Sequence, residues 1–294
     1  MILEDIMILL LWRMKNELHE RTQEKFCGGK DMKSVLRYVG GKSRAVKHIL
    51  PYLEDADVLY SPFFGGGSIE FAFSEKGKVI ACDLYEPVAV FWKEAIKNST
   101  LVADKVQEYH PLPKDKFYSL QKELPNLEKP LEMASVFYVL NRASFSGSTN
   151  SGGMSPSHPR FNQASIDRLK KFSAPNVEMQ HKDAFVFLEE LTKIDPKGKV
   201  IYLDPPYMIK NNLYGNKGDM HKNFNHKKLA DIVKKLDSLG WKIVLSYNRS
   251  EKIEEWYSDF HIIPVDWKYG MNASKDSNEY LIVNFIKNEK EMIE

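Results

Sequence analysis

Short apolar runs alternate with helix-period segments along most of this 294-residue chain, and this alternation limits the folds it can adopt. ADVLYSPF (56–63) is followed by SIEFAFSEK, and GKVIACD, which ends at Asp83, is followed by YEPVAVFWKEAIKN. The same order returns later, in NVEMQ, AFVFLEELTKI, KVIYLD, HKKLADIVKKLDSLG and WKIVLSY, before two closing strands, FHIIPVDW and EYLIVNF. Strands separated by helices need crossover connections, so the pattern predicts an α/β protein with a mostly parallel sheet covered by helices.

The alternation stops between about Ser99 and Pro175, where MASVFYVLNR has a helical pattern and the rest is rich in Pro, Ser, Gly and Asn. We interpret residues 98–175 as an insertion that carries loops. It divides one catalytic and cofactor-binding domain into residues 32–97 and 176–294. Residues 1–31 are interpreted as an N-terminal extension without a derived role.

Composition excludes several classes of protein. With 43% hydrophobic and 28% charged residues, the chain resembles soluble globular proteins rather than disordered or polytopic membrane proteins. The apolar run from Ile6 to Trp12 is shorter than the roughly 20 residues that span a bilayer, so we expect no membrane anchor. Two cysteines, Cys27 and Cys82, cannot alone form a disulfide framework or a four-ligand zinc site. We therefore predict a cytoplasmic protein without a metal.

A glycine-rich turn lies between the first predicted strand and the helix after it. SPFFGGGSIE contains Gly65, Gly66 and Gly67, and glycines there allow a ligand to approach the backbone and the free N–H groups of the helix. Such turns also occur simply to pack a strand against a helix. Asp83 ends the next strand about 20 residues on, where an acidic residue would bind a ribose hydroxyl, although it could instead cap a helix. Together these features favour a nucleotide-like ligand.

RYVGGKS (37–43) resembles a phosphate-binding loop only superficially. A Walker A motif needs a glycine five positions before Gly41, and that position is Leu36. The nucleotide-triphosphatase interpretation therefore fails. What remains is a Gly-Gly turn that presents Lys42 to a ligand, or an ordinary solvent-facing lysine.

The apolar run KVIYL ends on Asp204, Pro205, Pro206 and Tyr207. Ligands of parallel sheets bind beyond the carboxyl ends of the strands, so Asp204 should lie in the same crevice as the glycine turn. Each proline has a fixed φ and keeps the residue before it extended, which fixes the direction of the oxygen atoms. The Asp204 carboxylate and a proline carbonyl are two convergent acceptors that suit an NH₂ group, and Tyr207 offers a flat face for a base.

This arrangement predicts a specific chemistry. The exocyclic amine of adenine is a poor nucleophile because its lone pair is delocalised into the ring. Acceptors on both hydrogens stabilise the positive charge that develops as the nitrogen attacks a methyl sulfonium, an effect worth about 10² to 10³ in rate per group. Neither a metal nor a strong base is needed. A rigid turn without chemistry is the alternative interpretation of these four residues.

At these residues the chain resembles the Dam-like (D12-class) family of adenine-N6 DNA methyltransferases, which use S-adenosylmethionine. RYVGGK is similar to the family's first cofactor motif, PFFGGGS to its glycine loop and DPPY to its catalytic motif, over residues 32–285. The resemblance implies a class I methyltransferase fold, with a seven-stranded sheet and a target-recognition insertion. It implies a cofactor site lined by Tyr38, Gly40, Gly41, Lys42, Phe63, Gly65, Gly67, Asp83, Asp183 and Asp204. The family commonly has an acidic residue where this chain has Ser61.

Double-stranded DNA is the implied substrate. The segment 141–163 contains two arginines and no carboxylate, and 208–228 contains five lysines and one aspartate. The second segment therefore has a local charge of +4, and such basic segments are needed to bind phosphates because the net charge of the whole chain is only +2. NRASFSGSTN (141–150) resembles the family's DNA-intercalating hairpin. The adenine would have to leave the duplex to reach Tyr207, because base pairing covers N6. The candidate DNA contacts are Asn141, Arg142, Phe145, Asn150, Arg160, Lys210, Lys217 and Lys222.

Asn150 also bears on the sequence that is recognised. Members of the family that recognise GATC tend to have an arginine at this position, and asparagine suits adenine rather than guanine. We therefore predict a target other than GATC. A cognate restriction endonuclease is a candidate further partner, whose presence the sequence does not reveal. Two other functions are compatible with the sequence. One is the same chemistry on RNA, and the other is a catalytically silent DNA-binding protein, against which the intact DPPY motif argues.

Overall fold

The computed structural model describes residues 34–38, 40–149, 152–155, 160–208, 224–265 and 279–286. The N-terminal extension, Asn150 and the three candidate lysines, Lys210, Lys217 and Lys222, lie outside the described residues. None of the helices in these ranges has the length and apolar content that a bilayer crossing requires.

Seven strands form a single sheet in the order β3-β2-β1-β4-β5-β7-β6. The first five strands are parallel, whereas β7 is antiparallel to both of its neighbours. The strands are β1 (Val58–Ser61), β2 (Lys78–Asp83), β3 (Val177–His181), β4 (Lys199–Leu203), β5 (Lys242–Asn248), β6 (His261–Val265) and β7 (Glu279–Val283). The predicted seven-stranded, mostly parallel sheet is confirmed, and each strand predicted from an apolar run is present.

Helices cover both faces of this sheet, because the central strands are apolar on both sides. One buried cluster contains Val79 with Phe91, and the other contains Ile201 with Leu229. Within the described residues, the α-helices are α1 (Val46–Ile49), α2 (Ser68–Ser74), α3 (Glu86–Gln107), α4 (Lys114–Glu123), α5 (Pro130–Ala143), α6 (Gln163–Lys170), α7 (Ala184–Leu191), α8 (His226–Ser238) and α9 (Glu251–Trp256).

The inserted segment is more helical than the sequence indicated. Only α5 was predicted, but α4 and α6 also lie within it. The sequence of α4 is polar, and this helix buries only Phe117 and Leu120, so its apolar period is hard to recognise. Helix α6 depends on a capping box at Asn162 rather than on a long apolar face.

The insertion packs directly on the helices of the sheet. Phe91 and Trp92 of α3 belong to the same buried cluster as Phe137 and Tyr138 of α5, and the rings of Phe91 and Tyr138 are stacked at 5.6 Å. Helix α3 passes through the predicted boundary, where Asn98 has a non-helical backbone. The domain boundaries themselves stay a prediction.

Candidate active site

Polar residues gather at the carboxyl edge of the sheet. Asp83 ends β2, Asp204 follows β4, and Asn248 ends β5. Glu279 begins the antiparallel strand β7 opposite Asn248, so it reaches the same edge. Strand β1 lies between β2 and β4, at the reversal of strand order where open α/β sheets form their ligand crevice.

The glycine turn is held by its neighbours. The Gly65 N–H donates to Asp83 Oδ2 at 2.9 Å, and Trp92 Nε1 donates to the Gly65 carbonyl at 2.9 Å. Gly65 has a φ of +50°, and a Cβ there would lie 2.7 Å from the ring of Tyr38. Residue 65 therefore has to be glycine, both for its left-handed backbone and for the ring that packs on it.

Asp83 supports this turn and also the helix that follows. Its second oxygen accepts from the Tyr85 N–H at 2.8 Å, just before α3 begins. Burial raises the pKa of Asp83, and the two backbone hydrogen bonds act in the opposite direction. The position of Asp83 is thus compatible with both roles predicted from the sequence, binding a ribose hydroxyl and capping a helix, because the carboxylate faces the turn and lies next to a helix N-terminus.

Lys42 joins the first sequence motif to the last. Its Nζ lies 2.9 Å from Asp204 Oδ1, donates to the Tyr207 hydroxyl at 2.6 Å and lies 3.8 Å from Glu279 Oε2. Only 4% of Lys42 is exposed, so it is not an ordinary surface lysine. Burial raises the pKa of the Asp204 carboxyl, and the charge of Lys42 lowers it in part. Three charged groups and a phenol thus share one small space.

The segment from Asp204 to Tyr207 is fixed at its far end by Asn248. The Asn248 side chain accepts from the Met208 N–H at 2.8 Å and donates to the Met208 carbonyl at 3.0 Å. The half-buried ring of Tyr207 stacks on Tyr247, with centroids 6.2 Å apart and planes at 23°. Asn248 was missed in the sequence, although it directly follows the apolar run WKIVLSY at the same edge.

An aromatic group lies beside the crevice. Phe63, one of the predicted cofactor residues, contacts Phe224 edge-on at 5.7 Å, and Phe224 stacks on Phe185 at 5.4 Å. Asp183 caps α7 by accepting from the Phe185 N–H at 2.9 Å. Phe185 and Phe224 were not predicted from the sequence, because apolar residues at a strand–helix junction look like ordinary core.

Two candidate DNA contacts in the insertion are buried. Asn141 accepts from the Arg37 N–H at 2.9 Å and donates to the Arg37 carbonyl at 2.7 Å. Arg142 donates from Nε to the Arg160 carbonyl at 3.1 Å. Their side chains are thus used inside the protein, and the direct DNA contacts predicted for both are revised here to a supporting role. Asn141 ties the insertion to Arg37, the first residue of the RYVGGK motif.

Phe145 has the opposite environment, since 67% of it is exposed. It lies on a short loop closed by a bridge between Ser144 and Met154. Gln121 fastens this loop by donating to the carbonyls of Thr149 and Gly152. A large exposed aromatic side chain on a fastened loop is a suitable wedge for stacked bases.

Comparison with known proteins agrees with the class of protein that these features define. The strand order, the glycine turn and the Asp-Pro-Pro-Tyr segment beyond β4 are those of a class I methyltransferase fold. A family model described as D12 class N6 adenine-specific DNA methyltransferase matches residues 38–271. The chain belongs to this family.

Curated relatives match over most of the chain. It is 24% identical to a DNA N-6-adenine-methyltransferase of Escherichia phage P1 over 83% of its length, and 26% identical to the type II methyltransferase M.FokI of Planomicrobium okeanokoites over 86%. It spans only 34% and 43% of those two proteins. The type II methyltransferase M1.LlaDCHI of Lactococcus lactis subsp. cremoris is 21% identical, over 87% of this chain and 95% of that protein.

Proposed function

We propose that this chain transfers a methyl group from S-adenosylmethionine to N6 of a flipped adenine in duplex DNA. The observation that carries the proposal is the contact of Lys42 with both Asp204 and Tyr207. Through this contact the RYVGGK motif and the DPPY motif, which are far apart in sequence, form one site. Tyr38, in the same first motif, packs on the glycine turn. All three motifs therefore lie around one crevice.

The residues around the crevice fit S-adenosylmethionine. Its adenosine carries an aromatic ring and two ribose hydroxyls, which suit the phenylalanines near Phe63 and the carboxylates at Asp83 and Asp183. Its sulfonium is cationic, and the Asp204 carboxylate lies at the edge of the sheet where the crevice forms. When bound, this cofactor supplies an electrophilic methyl group.

Asp204 would act on the amine of the target base. Its carboxylate accepts a hydrogen bond from N6, and a proline carbonyl of the rigid turn accepts the second. Both acceptors stabilise the positive charge that grows on nitrogen in the transition state. Lys42 holds the carboxylate in place before the base arrives, and Asn248 fixes the backbone after Tyr207. The Tyr207 ring would contribute a flat aromatic surface to the binding of the base.

DNA would be held by the insertion and its surroundings. Burial lowers the pKa of Arg142, Tyr138 opposes this effect, and the charges of Arg168, Arg37 and Arg160 lower the pKa further. Within the described residues none of the four arginines forms a salt bridge with a carboxylate. Phosphate groups would supply the missing negative charge to Arg37, Arg160 and Arg168, which are not buried, whereas Arg142 supports the insertion from inside.

A transfer assay with labelled donor tests the proposal. Protein is incubated with methyl-labelled S-adenosylmethionine and either duplex DNA or RNA, and the label in adenine N6 is quantified. Label in DNA supports the proposal. Label only in RNA would select the RNA substrate instead, and DNA binding without label would indicate a silent binding protein.

The recognised sequence and the partner remain part of the proposal. Asn150 predicts a target other than GATC, and mapping of methylated adenines in DNA treated with the protein tests this. The names of two relatives, both type II methyltransferases, support a cognate restriction endonuclease. A cytoplasmic location fits a DNA substrate.

Truncating Phe145 to alanine is expected to reduce methylation of duplex DNA by about tenfold, since stacking on a base contributes about 1 to 3 kcal/mol. The stability should not change, because the ring is largely exposed. Leu239→Ala is a matched control: Leu239 is 44% exposed in the turn before β5, at the opposite edge of the sheet. Equal activity of the two variants would contradict a role for Phe145 in DNA binding.

Asn248→Ala is expected to lower the rate of methyl transfer at least tenfold, because a displacement of about 1 Å at reacting groups can cost about 10² in rate. Asn284→Ala is its control. Asn284 makes a similar two-sided backbone contact at the other end of β5, accepting from the Ile243 N–H and donating to the Trp241 carbonyl, and it also donates to Asp237. Both variants should lose a similar free energy of unfolding, as measured in urea. Only Asn248→Ala should also lower the rate of methyl transfer by the folded protein. Equal rates would show that Asn248 does not position the DPPY segment.

A further inference from the structure

One buried carboxyl group near the crevice has no role in the mechanism above. Glu70 lies in the first turn of α2, directly after the glycine turn, and only 2% of it is exposed. Its Oε1 accepts a hydrogen bond of 2.6 Å from Ser61 Oγ, and Ser61 is the fully buried last residue of β1. Glu70 is therefore held beneath the glycine turn, at the carboxyl edge of the central strand.

The ionisable groups that act on Glu70 do not neutralise it. Asp204 is near enough for its negative charge to disfavour ionisation of Glu70, and the charge of Glu70 in turn acts on Tyr202 of β4. In the described part of the chain, Glu70 forms no salt bridge, and Lys42 is bound to Asp204 and Glu279 instead. A buried acid without a cation is costly unless a ligand supplies the charge.

We propose, building on the function above, that Glu70 is the buried counter-charge for the α-ammonium group of the methyl donor, held in place by Ser61. The serine at position 61 leaves that end of β1 without an acid of its own. Glu70, in the first turn of α2, instead brings its carboxyl group to this end of β1. In a site of low dielectric such a charge acts strongly on a bound cation.

This role couples donor binding to a proton. Burial raises the pKa of Glu70 to about 7 and Asp204 adds to the effect, whereas hydrogen bonds from Ser61 and from the backbone of Glu70 and Ile69 oppose it. At pH 6 most of the free protein therefore carries a protonated Glu70. A bound ammonium group favours the ionised form, so the proton is released on binding.

Calorimetry measures this release directly. S-adenosylmethionine, S-adenosylhomocysteine and 5′-methylthioadenosine are titrated into the full chain at pH 6, in two buffers of different ionisation enthalpy. The first two ligands carry the ammonium group and should release close to one proton, whereas the third lacks it and should release none. Glu70→Gln keeps the shape and the contact with Ser61, and should abolish the release and weaken both ammonium ligands about tenfold or more. Glu75→Gln, at the exposed end of the same helix, is the control.

Each other outcome overturns the inference. Proton release with S-adenosylmethionine alone would assign Glu70 to the sulfonium, and undiminished release by Glu70→Gln would assign the proton to another group. If the parent methylates DNA but binds its donor without proton release, the proposed function stands and only this inference fails. If no donor binds, both fail.

Stability provides an independent test of the protonated Glu70. The pKa of Glu70 in the folded chain lies above the ordinary value of 4.5. Between these two values the unfolded chain has lost a proton that the folded chain keeps, so rising pH destabilises the parent. Glu70→Gln should therefore gain stability relative to the parent at pH 8 but not at pH 4.5, as measured by urea unfolding. An equal difference at both pH values would contradict a buried, protonated Glu70.

Discussion

Replacing Asp204 by asparagine is expected to lower the rate of methyl transfer by about 10² to 10³, the typical effect of removing one group that stabilises charge in a transition state. Asparagine keeps the shape of the side chain but removes the negative charge opposite the developing positive charge on N6. It also offers an NH₂ group where an acceptor is needed. A single-turnover assay with duplex DNA and saturating labelled donor measures the rate of this step.

The control must separate chemistry from binding and folding. Asp195→Asn changes an exposed aspartate in the turn before β4, at the other edge of the sheet, and should keep the parental rate. Calorimetry with S-adenosylhomocysteine should show that Asp204→Asn still binds within a few fold of the parent. Normal transfer by a folded Asp204→Asn would remove the basis of the proposed mechanism.

The fold was predictable because its signals are local. Four of the strands from β1 to β5 are short apolar runs, β3 has alternating apolar residues, and each lies beside a helix-period segment that can be recognised within about ten residues. The edge of the sheet that carries the site was predictable for the same reason. Asp83 and Asp204 each follow the apolar run that places them, and parallel strands bring their carboxyl ends together.

The contacts within the site were not predictable, because they join distant residues. Nothing near Lys42 in the sequence indicates that its amine meets Asp204 and Tyr207. The sequence predicted Glu70 only as part of a helix, although the glycine turn places its carboxyl group beside Ser61. Sequence patterns give the direction of a strand or helix, but the partners across the crevice depend on tertiary packing.

The direct DNA contacts predicted for Asn141 and Arg142 are revised for a related reason. Asn141 and Arg142 were expected at a DNA surface because NRASFSGSTN resembles the family's DNA-intercalating hairpin and the segment 141–163 lacks carboxylates. Both are buried, since a loop that turns back on the core needs side chains to satisfy its backbone groups. Phe145 is largely exposed in the same segment, and its contact with DNA stays a prediction.

Replacing Lys42 by methionine is the second change with a large expected effect, on stability rather than rate. Methionine fills a similar volume but removes the cation that lies 2.9 Å from Asp204. Removing one partner of a buried ion pair typically costs 3 to 5 kcal/mol, and we expect about 3 kcal/mol at pH 8 because 22% of the Asp204 side chain is exposed. Urea unfolding at fixed pH measures the change.

The loss should depend on pH in a defined direction. Lys42 opposes the burial that raises the pKa of Asp204, so that pKa rises further in the variant. A carboxyl group with a raised pKa destabilises the folded chain above the pKa of the unfolded chain, and protonation removes this effect as the pH falls. The difference between parent and Lys42→Met should thus be largest near pH 8 and smaller near pH 5. A difference that does not change with pH would indicate lost packing rather than lost charge.

A double-mutant cycle tests the pairing itself. Lys42→Met combined with Asp204→Asn leaves fewer unpaired charges than Lys42→Met alone, so the double variant should lose less stability than the sum of the single variants. The surface pair of Lys78 and Glu178, at 3.2 Å with both side chains more than half exposed, is the control. Because water screens exposed pairs, its coupling should be about 0.5 kcal/mol or less. Additive losses at Lys42 and Asp204 would mean that the two side chains do not depend on each other, and the first and last motifs would then lack the link on which the common site rests.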